Sequence, residues 1–341
     1  MHAQNARLWW RAFTGFYKPG IETIAQPDRV ALFLYSARSV ILVISAQAAV
    51  IAGLLAADAG RFDARAFLGL LAGFVVAHMI SNLSNDYFGF TRGHDTPDSP
   101  RMRYTVHPLA SGVLDSRTLL TGLALLAAIV LAIMAYFIVE RGWLAAGFAA
   151  AGVALLFWYD AAPTPLKSIG LGEFAVLLVW GPLMIGGGVA MMTGFVSADA
   201  MVASLPYGLS VMTILVGKHI DQMDFDRRMG IHTLPVLIGA RAARALNIAS
   251  IVAIYAIIAA LIVLGRLTPF AAAIVLSLPR AARAIRVMSV AAPASPPEGY
   301  VGWPLWYHRV CLSHHRVFGW TFIGGLAASV VWHGLAPLVR G

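Results

Sequence analysis

The chain alternates long apolar runs with short polar clusters, and that alternation predicts its elements. Nine runs, at about 30–57, 64–86, 117–139, 143–162, 169–194, 200–220, 241–265, 268–289 and 317–338, each reach the roughly 20 residues that carry a helix across a bilayer. Only Glu140, Arg141 and Gly142 separate the third run from the fourth, and Arg266 with its neighbours the seventh from the eighth, so tight hairpins are expected there. The first 29 residues break the pattern. They interleave Trp9, Trp10, Phe13, Phe16 and Tyr17 with Arg7, Arg11 and Lys18, which predicts an amphipathic segment lying on an anionic membrane surface. The expected organisation is thus an interfacial segment over 1–29 and one all-α polytopic membrane domain over 30–341, a bundle of about nine helices.

Composition confirms the class: 59% of the 341 residues are hydrophobic and 12% charged. A lone cysteine, Cys311, excludes an internal disulfide framework and a cysteine-based zinc site. An odd number of spans places the termini on opposite sides. Sorted that way, nineteen basic residues fall on the side of the N-terminus and the loops after the even-numbered spans, and five on the other, with Arg38 inside the first span. The positive-inside rule then makes the N-terminal side cytoplasmic. The net charge of +9 is accounted for by that asymmetry and by anionic lipid, with no nucleic-acid partner.

Against this background two polar windows stand out, holding six of the chain's sixteen acidic residues. The first, from Asn82 to Arg103, carries Asn85, Asp86, Arg92, Asp95, Asp98 and Arg101. Asn82 and Asp86 lie four residues apart and share a helix face, and Gly89, Gly93, Pro97 and Pro100 predict a loop that turns back over them. The second, from Lys218 to Gly230, carries Asp221, Asp224, Asp226 and Arg227. Each window closes an apolar run at the same membrane face, which points to a metal and phosphate site, set against a plain solvated loop. A permease would also bury Asp and Arg within the membrane, but at the midplane, whereas these cluster at one face. Arg38, within an apolar run, is expected to face a polar cavity.

The Asn82-x-x-Asn-Asp-Tyr pattern with Gly93-x-Asp95-x-Pro-Asp98, the run Tyr159 to Lys167 and Glu173, and the stretch from the second acidic window to Thr233-Leu-Pro resemble the UbiA superfamily of intramembrane prenyltransferases. Among them, the dihydroxynaphthoate polyprenyltransferases of menaquinone synthesis are the most similar. The resemblance implies a multi-pass protein of the bacterial inner membrane, a helical bundle with a cavity open to the cytoplasm, that moves an isoprenoid chain from a prenyl diphosphate to a hydrophobic aromatic acceptor with the help of Mg²⁺. It implies catalytic roles for Asn82, Asn85, Asp86, Asp221, Asp224 and Asp226, with Asp86, Asp224 and Asp226 holding metal. Substrate contacts are implied for Arg38, Arg92, Asp95, Asp98, Arg101, Arg103, Tyr159, Lys167, Lys218 and Arg227. Tyr87, Phe88, Trp158 and Tyr159 are candidates to face an allylic cation. The chain departs from the family pattern where Gly89, Gly93 and Gln222 replace expected aspartates. Either Asp95 and Asp98 fold back to replace the carboxylate missing at Gly89, or the site works with fewer acids.

Overall fold

A computed structural model describes residues 2–14, 28–96, 99–104, 107–112 and 114–340, with side chains described except at 2–5, 14 and 336–340. Phe16, Tyr17, Lys18 and Asp98 therefore lie outside the described residues. Eight helical stretches are long and apolar enough to cross a membrane, and among the described residues there is no strand. In chain order the helices are α1 (His2–Thr14), α2 (Arg29–Ser36), α3 (Val43–Asp58), α4 (Ala64–Thr91), α5 (Pro100–Tyr104), α6 (Ser116–Arg141), α7 (Trp143–Leu156), α8 (Gly172–Leu178), α9 (Gly187–Thr193), α10 (Ala198–Arg228), α11 (Leu234–Ile238), α12 (Ala240–Val263), α13 (Leu278–Met288) and α14 (Tyr307–Arg340).

Local chemistry sets the boundaries. Asp63, Asp115 and Ser197 cap α4, α6 and α10 by accepting backbone N–H groups of the first turn, the usual N-cap role of short oxygen-bearing side chains. Gly142 alone joins α6 to α7 at φ 58°, a left-handed φ that favours glycine, so the expected hairpin is present. The two π-helical stretches, Phe157–Ala161 after α7 and Val179–Gly186 between α8 and α9, the latter around Pro182, widen helices next to the cavity described below. The centre of the bundle is α10, with 72% of its most apolar window buried against 11% for α6. Gly181 and Gly208 bring α10 against the π-helical stretch so closely that a Cβ at Gly208 would crowd the carbonyl of Leu177, the small-residue packing typical of membrane helices.

Three expectations change. The first run is broken: Arg38, with φ 54° and ψ 48°, separates α2 from a 3₁₀ turn at Ser39–Ile41 and from α3, so the arginine sits at a kink and not within a continuous span. The second acidic window lies on the last turns of α10 itself, because that helix runs past the expected end of the run near 220 to Arg228. The eighth run is not one apolar helix but a 3₁₀ segment, Pro269–Ser277, followed by α13, which buries Ala281, Ala284 and Met288. At about 2.0 and 1.5 Å rise per residue these two pieces together reach about 34 Å. They run antiparallel to α14, since the backbone at Phe270 lies against Gly325 and the Tyr307 hydroxyl donates to Val290 O at 2.7 Å. The chain therefore still traverses the bundle here. His314 and His315 are buried and join helices: the Tyr255 hydroxyl lies 3.0 Å from His314 Nε2, and the Ser210 hydroxyl 2.8 Å from His315 Nδ1.

Candidate active site

The site is built around Asp86, on the last turns of α4, whose side chain is fully buried. Both Arg38 and Arg101 pair with it, Arg101 Nη2 reaching Oδ2 at 2.7 Å. Arg38 also donates to Asn85 Oδ1 at 3.3 Å, and Asn85 Nδ2 passes the network on to Asp160 Oδ1 at 2.9 Å, which Lys167 Nζ meets at 2.5 Å. The left-handed backbone at Arg38 is costly for a residue with a Cβ, by about 1–2 kcal/mol. Asn82 holds the kink by donating to Ala37 O at 2.9 Å. Its amide N–H thus serves the backbone that presents Arg38, and the residue also lines the chamber described below.

One carboxylate under two guanidinium groups leaves positive charge unmet. Arg38 Nε and Arg101 Nε are buried without a hydrogen-bond partner among the described residues. Burial first, and then the neighbouring Arg38 charge, pulls the pKa of Arg101 well below its ordinary value. An anion placed between the two arginines removes that penalty. Asp95 folds back to the same cluster: His107 Nε2 lies 3.0 Å from Asp95 Oδ2. Burial alone would raise the Asp95 pKa, but the His107 hydrogen bond and the Arg38 and Lys167 charges outweigh it and hold the carboxyl below its usual range.

Beneath this polar head lies an apolar chamber of about 390 Å³, with Arg38, Asn85, Tyr159 and Lys218 at its mouth and Gly69, Phe137 and Met191 at its far end. Asn85 and Gly69 are sixteen residues apart on α4, so the chamber runs about 24 Å along the helix axis. Tyr159 is the one of the four candidate aromatics that lines it. Phe88 lies under the Arg92 guanidinium at 5.1 Å, Tyr87 packs with the helix core, and Trp158 is half exposed.

The second window contributes differently from its expectation. Gln222 Nε2 donates to the Tyr104 hydroxyl at 3.3 Å, which joins α10 to α5 and so brings the two windows side by side. Asp226 is buried, with the Thr233 hydroxyl at 3.4 Å and Lys218 and His219 within electrostatic reach. Asp221, by contrast, spends both oxygens on the start of α14, accepting from Tyr307 N at 3.0 Å and His308 N at 2.9 Å; in this structure it caps a helix and does not line the chamber. Asp224 and Arg227 pair with each other at 3.3 Å on the exposed surface, their side chains 82% and 55% exposed, and neither lines the chamber. Arg92 is likewise engaged elsewhere, because it donates to the carbonyls of Asp160, Ala161 and Ala162 at 2.5, 3.0 and 2.8 Å and closes the end of the fourth span. Arg103 is exposed. Among the described residues no three acidic or histidine side chains converge closely enough to enclose a metal ion by themselves.

Three residues enter the site that the sequence reading did not assign. Asp160 proves to be the link between Asn85 and Lys167, and Glu173, fully buried, meets His219 Nδ1 at 2.6 Å and Leu234 N at 3.2 Å. His107 lies four residues beyond the charged window, and no spacing rule pointed to it.

A lipid-embedded helical bundle with a cationic head over an apolar chamber is a receptacle for an amphiphile with an anionic end. Comparison with known proteins makes the class specific: the model of the UbiA prenyltransferase family matches residues 46–306, and the chain belongs to that family of intramembrane prenyltransferases. The chain is 23% identical over 231 residues to the 1,4-dihydroxy-2-naphthoate octaprenyltransferase of Bacillus subtilis, covering 66% of this chain and 72% of that one. It is 27% identical over 183 residues to UbiA prenyltransferase domain-containing protein 1 of Rattus norvegicus, spanning 53% of this chain and about half, 52%, of that relative. Two solved structures share its fold. A UbiA homologue from Archaeoglobus fulgidus bound to DMAPP and Mg²⁺ aligns with a TM-score of 0.59 at 14% identity, over 88% of this chain and 99% of that one. One from Aeropyrum pernix K1 aligns with a TM-score of 0.57 at 18% identity, over 86% and 98%.

Proposed function

We propose that this protein transfers an isoprenoid chain from a prenyl diphosphate to an aromatic, quinone-precursor-like acceptor at the mouth of the chamber. The observation that carries the reading is the pair of buried arginines on Asp86 with unpartnered Nε groups, set directly over an apolar chamber. The diphosphate would displace the arginines from Asp86 and take their donors, together with those of Lys167 and Lys218. Donors fixed in a dry site stabilise the charge that develops as the C1–O bond breaks and its electron pair leaves on the diphosphate. The allylic cation would lie at the mouth, where Tyr159 offers its ring. An electron-rich ring carbon of the acceptor then forms the new C–C bond, and the ring regains aromaticity by losing that carbon's proton to solvent at the mouth.

The donors present suit a hard cation carried by the substrate. Asp86 once released, Asp95, Asp226 and the Asn85 amide are oxygen ligands, and Mg²⁺ typically takes one or two carboxylates plus substrate phosphates and waters. When bound, it would supply neutralisation of the leaving diphosphate. The chamber also bears on the tail. Three backbone atoms span about 3.5 Å in an extended chain, so an isoprene repeat with four atoms along the chain spans roughly 4.7 Å, and about 24 Å would lodge about five repeats. The charge asymmetry of the loops supports a cytoplasmic site in a bacterial inner membrane.

The test is product analysis by mass spectrometry on the purified protein in lipid nanodiscs, with prenyl diphosphates of graded length and aromatic acceptors. Prenylated acceptor and released diphosphate are expected, with Arg101→Met reducing turnover about 10²–10³-fold. No product from any pair, together with ion-coupled solute uptake in proteoliposomes, would replace this reading with a transporter.

A further inference from the structure

Seven residues before Asn85, and so two turns deeper on the same face of α4, His78 lines the chamber about 10 Å below the polar head. It is the deepest polar side chain that α4 gives to that wall, because Ala77, Phe74, Gly73, Leu70 and Gly69 follow beneath it. Three elements fix the ring. Ser45 Oγ of α3 lies 2.9 Å from His78 Nδ1, Trp180 Nε1 of the second π-helical stretch donates to Ser45 Oγ at 3.2 Å, and the indole stands nearly perpendicular to the imidazole with ring centres 5.1 Å apart. The partners settle where the protons sit. An indole N–H only donates, so Ser45 Oγ accepts from Trp180 and its own proton needs another acceptor. Ser45 is wholly buried, and among the described residues the other partner of its hydroxyl is His78 Nδ1. A buried hydroxyl proton goes to the acceptor it has, which makes Nδ1 the acceptor and leaves the ring proton on Nε2. Nε2 has no hydrogen-bond partner among the described residues, and unlike the Nε2 atoms of His308 and His315 it is not sealed inside the protein. A fixed N–H donor thus faces a space that is otherwise walled mostly by carbon, and a hydrocarbon tail alone would leave it unmet.

We propose that His78 Nε2–H donates to an oxygen on the aromatic acceptor, holding the ring beside the first isoprene unit of the donor and selecting acceptors that carry an oxygen on the edge turned into the chamber. The proposal rests on the prenyl-transfer reading above and adds to it a specificity determinant remote from the diphosphate. The reactive carbon of the acceptor then lies at the mouth and the recognised hydroxyl or carbonyl oxygen lies inward. A site built to hydrogen-bond an oxygen discriminates against a guest that lacks it, so His78 governs the choice of acceptor and not the choice of prenyl chain. Ser45 and Trp180 act through His78 as positioning residues, since they fix which nitrogen carries the proton and where it points.

The experiment follows prenylation of 1-naphthol by the full chain in nanodiscs at saturating prenyl diphosphate, with 1-methylnaphthalene, the same shape without the oxygen, as a competitive inhibitor. His78→Phe is expected to raise the KM for 1-naphthol about tenfold, and to leave the inhibition constant of 1-methylnaphthalene and the KM for the prenyl diphosphate within about twofold of native. His78→Gln, whose amide offers an N–H and whose carbonyl accepts from Ser45, should return the KM for 1-naphthol to within about threefold of native. Ser45→Ala frees the ring proton to occupy either nitrogen and should raise that KM about two- to threefold. If His78→Phe destabilises the fold, His78→Met, which fills the space flexibly without a donor, takes its place with the same expectations. A native KM for 1-naphthol in a folded variant without the donor, or an equal weakening of 1-naphthol and 1-methylnaphthalene, overturns the proposal. Absence of product from the native chain with every acceptor would overturn instead the function on which it rests.

Discussion

The two acidic windows look alike in sequence and do different work in the structure. At the end of α4 one buried carboxylate, Asp86, gathers Arg38, Arg101 and, through Asn85, the Asp160–Lys167 pair. At the end of α10 three aspartates disperse: Asp221 to the cap of α14, Asp224 to the surface and Asp226 to the site side. Helical phase explains the dispersal. At 100° per residue, Gln222 and Asp226 are four apart and share a face, whereas Asp221 and Asp224 fall outside it. A count of acids near a helix end therefore overstates a site, and their phase decides which of them can meet a ligand.

The largest effect is expected at Asp86. Asp86→Ala should reduce turnover about 10²–10³-fold, but it should also destabilise the fold by about 3–5 kcal/mol, because it leaves two guanidinium groups sharing a buried site without their counter-charge. The side chain is fully buried, so its removal is not the loss of a carboxylate from a wet cavity. Asp226→Ala should separate the two effects, with turnover down about 10–100-fold and the melting temperature close to native, as the one described hydrogen bond of its side chain is the long contact with Thr233. Thermal melts and turnover measured on both variants check this. An Asp86→Ala protein as stable as the native one would mean that the arginines already reach solvent or lipid phosphate.

Next comes Asp221, where stability and binding should part in the opposite sense. Loss of a side-chain cap costs about 0.5–2 kcal/mol, and Asp221→Ala removes acceptors from two N–H groups at the first turn of α14. A lower melting temperature with unchanged affinity for a prenyl thiolodiphosphate is the expected outcome. A tenfold loss of affinity without a stability change would return Asp221 to the site.

Much of this architecture is legible in the sequence, and the misses have physical causes. Apolar runs are set by bilayer thickness, so eight of the nine expected spans reappear as helices. The eighth run misled because hydropathy averages over its 3₁₀ start and the amphipathic α13 alike. Arg38, Asn85, Asp86, Arg101, Lys167 and Lys218 converge because polar side chains in an apolar chain have few partners other than one another. Arg92, expected at the substrate, lies on helix-end carbonyls here because a guanidinium can equally close a helix end, and sequence does not say which acceptor is nearer. His107 and Asp160 became visible only once loop and helix end met.

The smallest effect tests the phase argument itself. Asp224 and Arg227 form an i,i+3 pair at 3.3 Å on an exposed helix surface, and such pairs contribute about 0.2–1 kcal/mol or less after solvent screening. Asp224→Ala should therefore leave turnover within about twofold of native and shift stability by no more than about 0.5 kcal/mol, although it removes an acid from the middle of the motif. Gln222→Asp is the matching gain: it places a carboxylate one turn before Asp226 on the same face, and should tighten Mg²⁺ dependence a few-fold while breaking the Tyr104 contact. A marked loss of turnover in Asp224→Ala, measured under saturating prenyl diphosphate, would show that the last turn of α10 unwinds and rotates on binding, so that phase in the ligand-free helix does not govern which aspartates act.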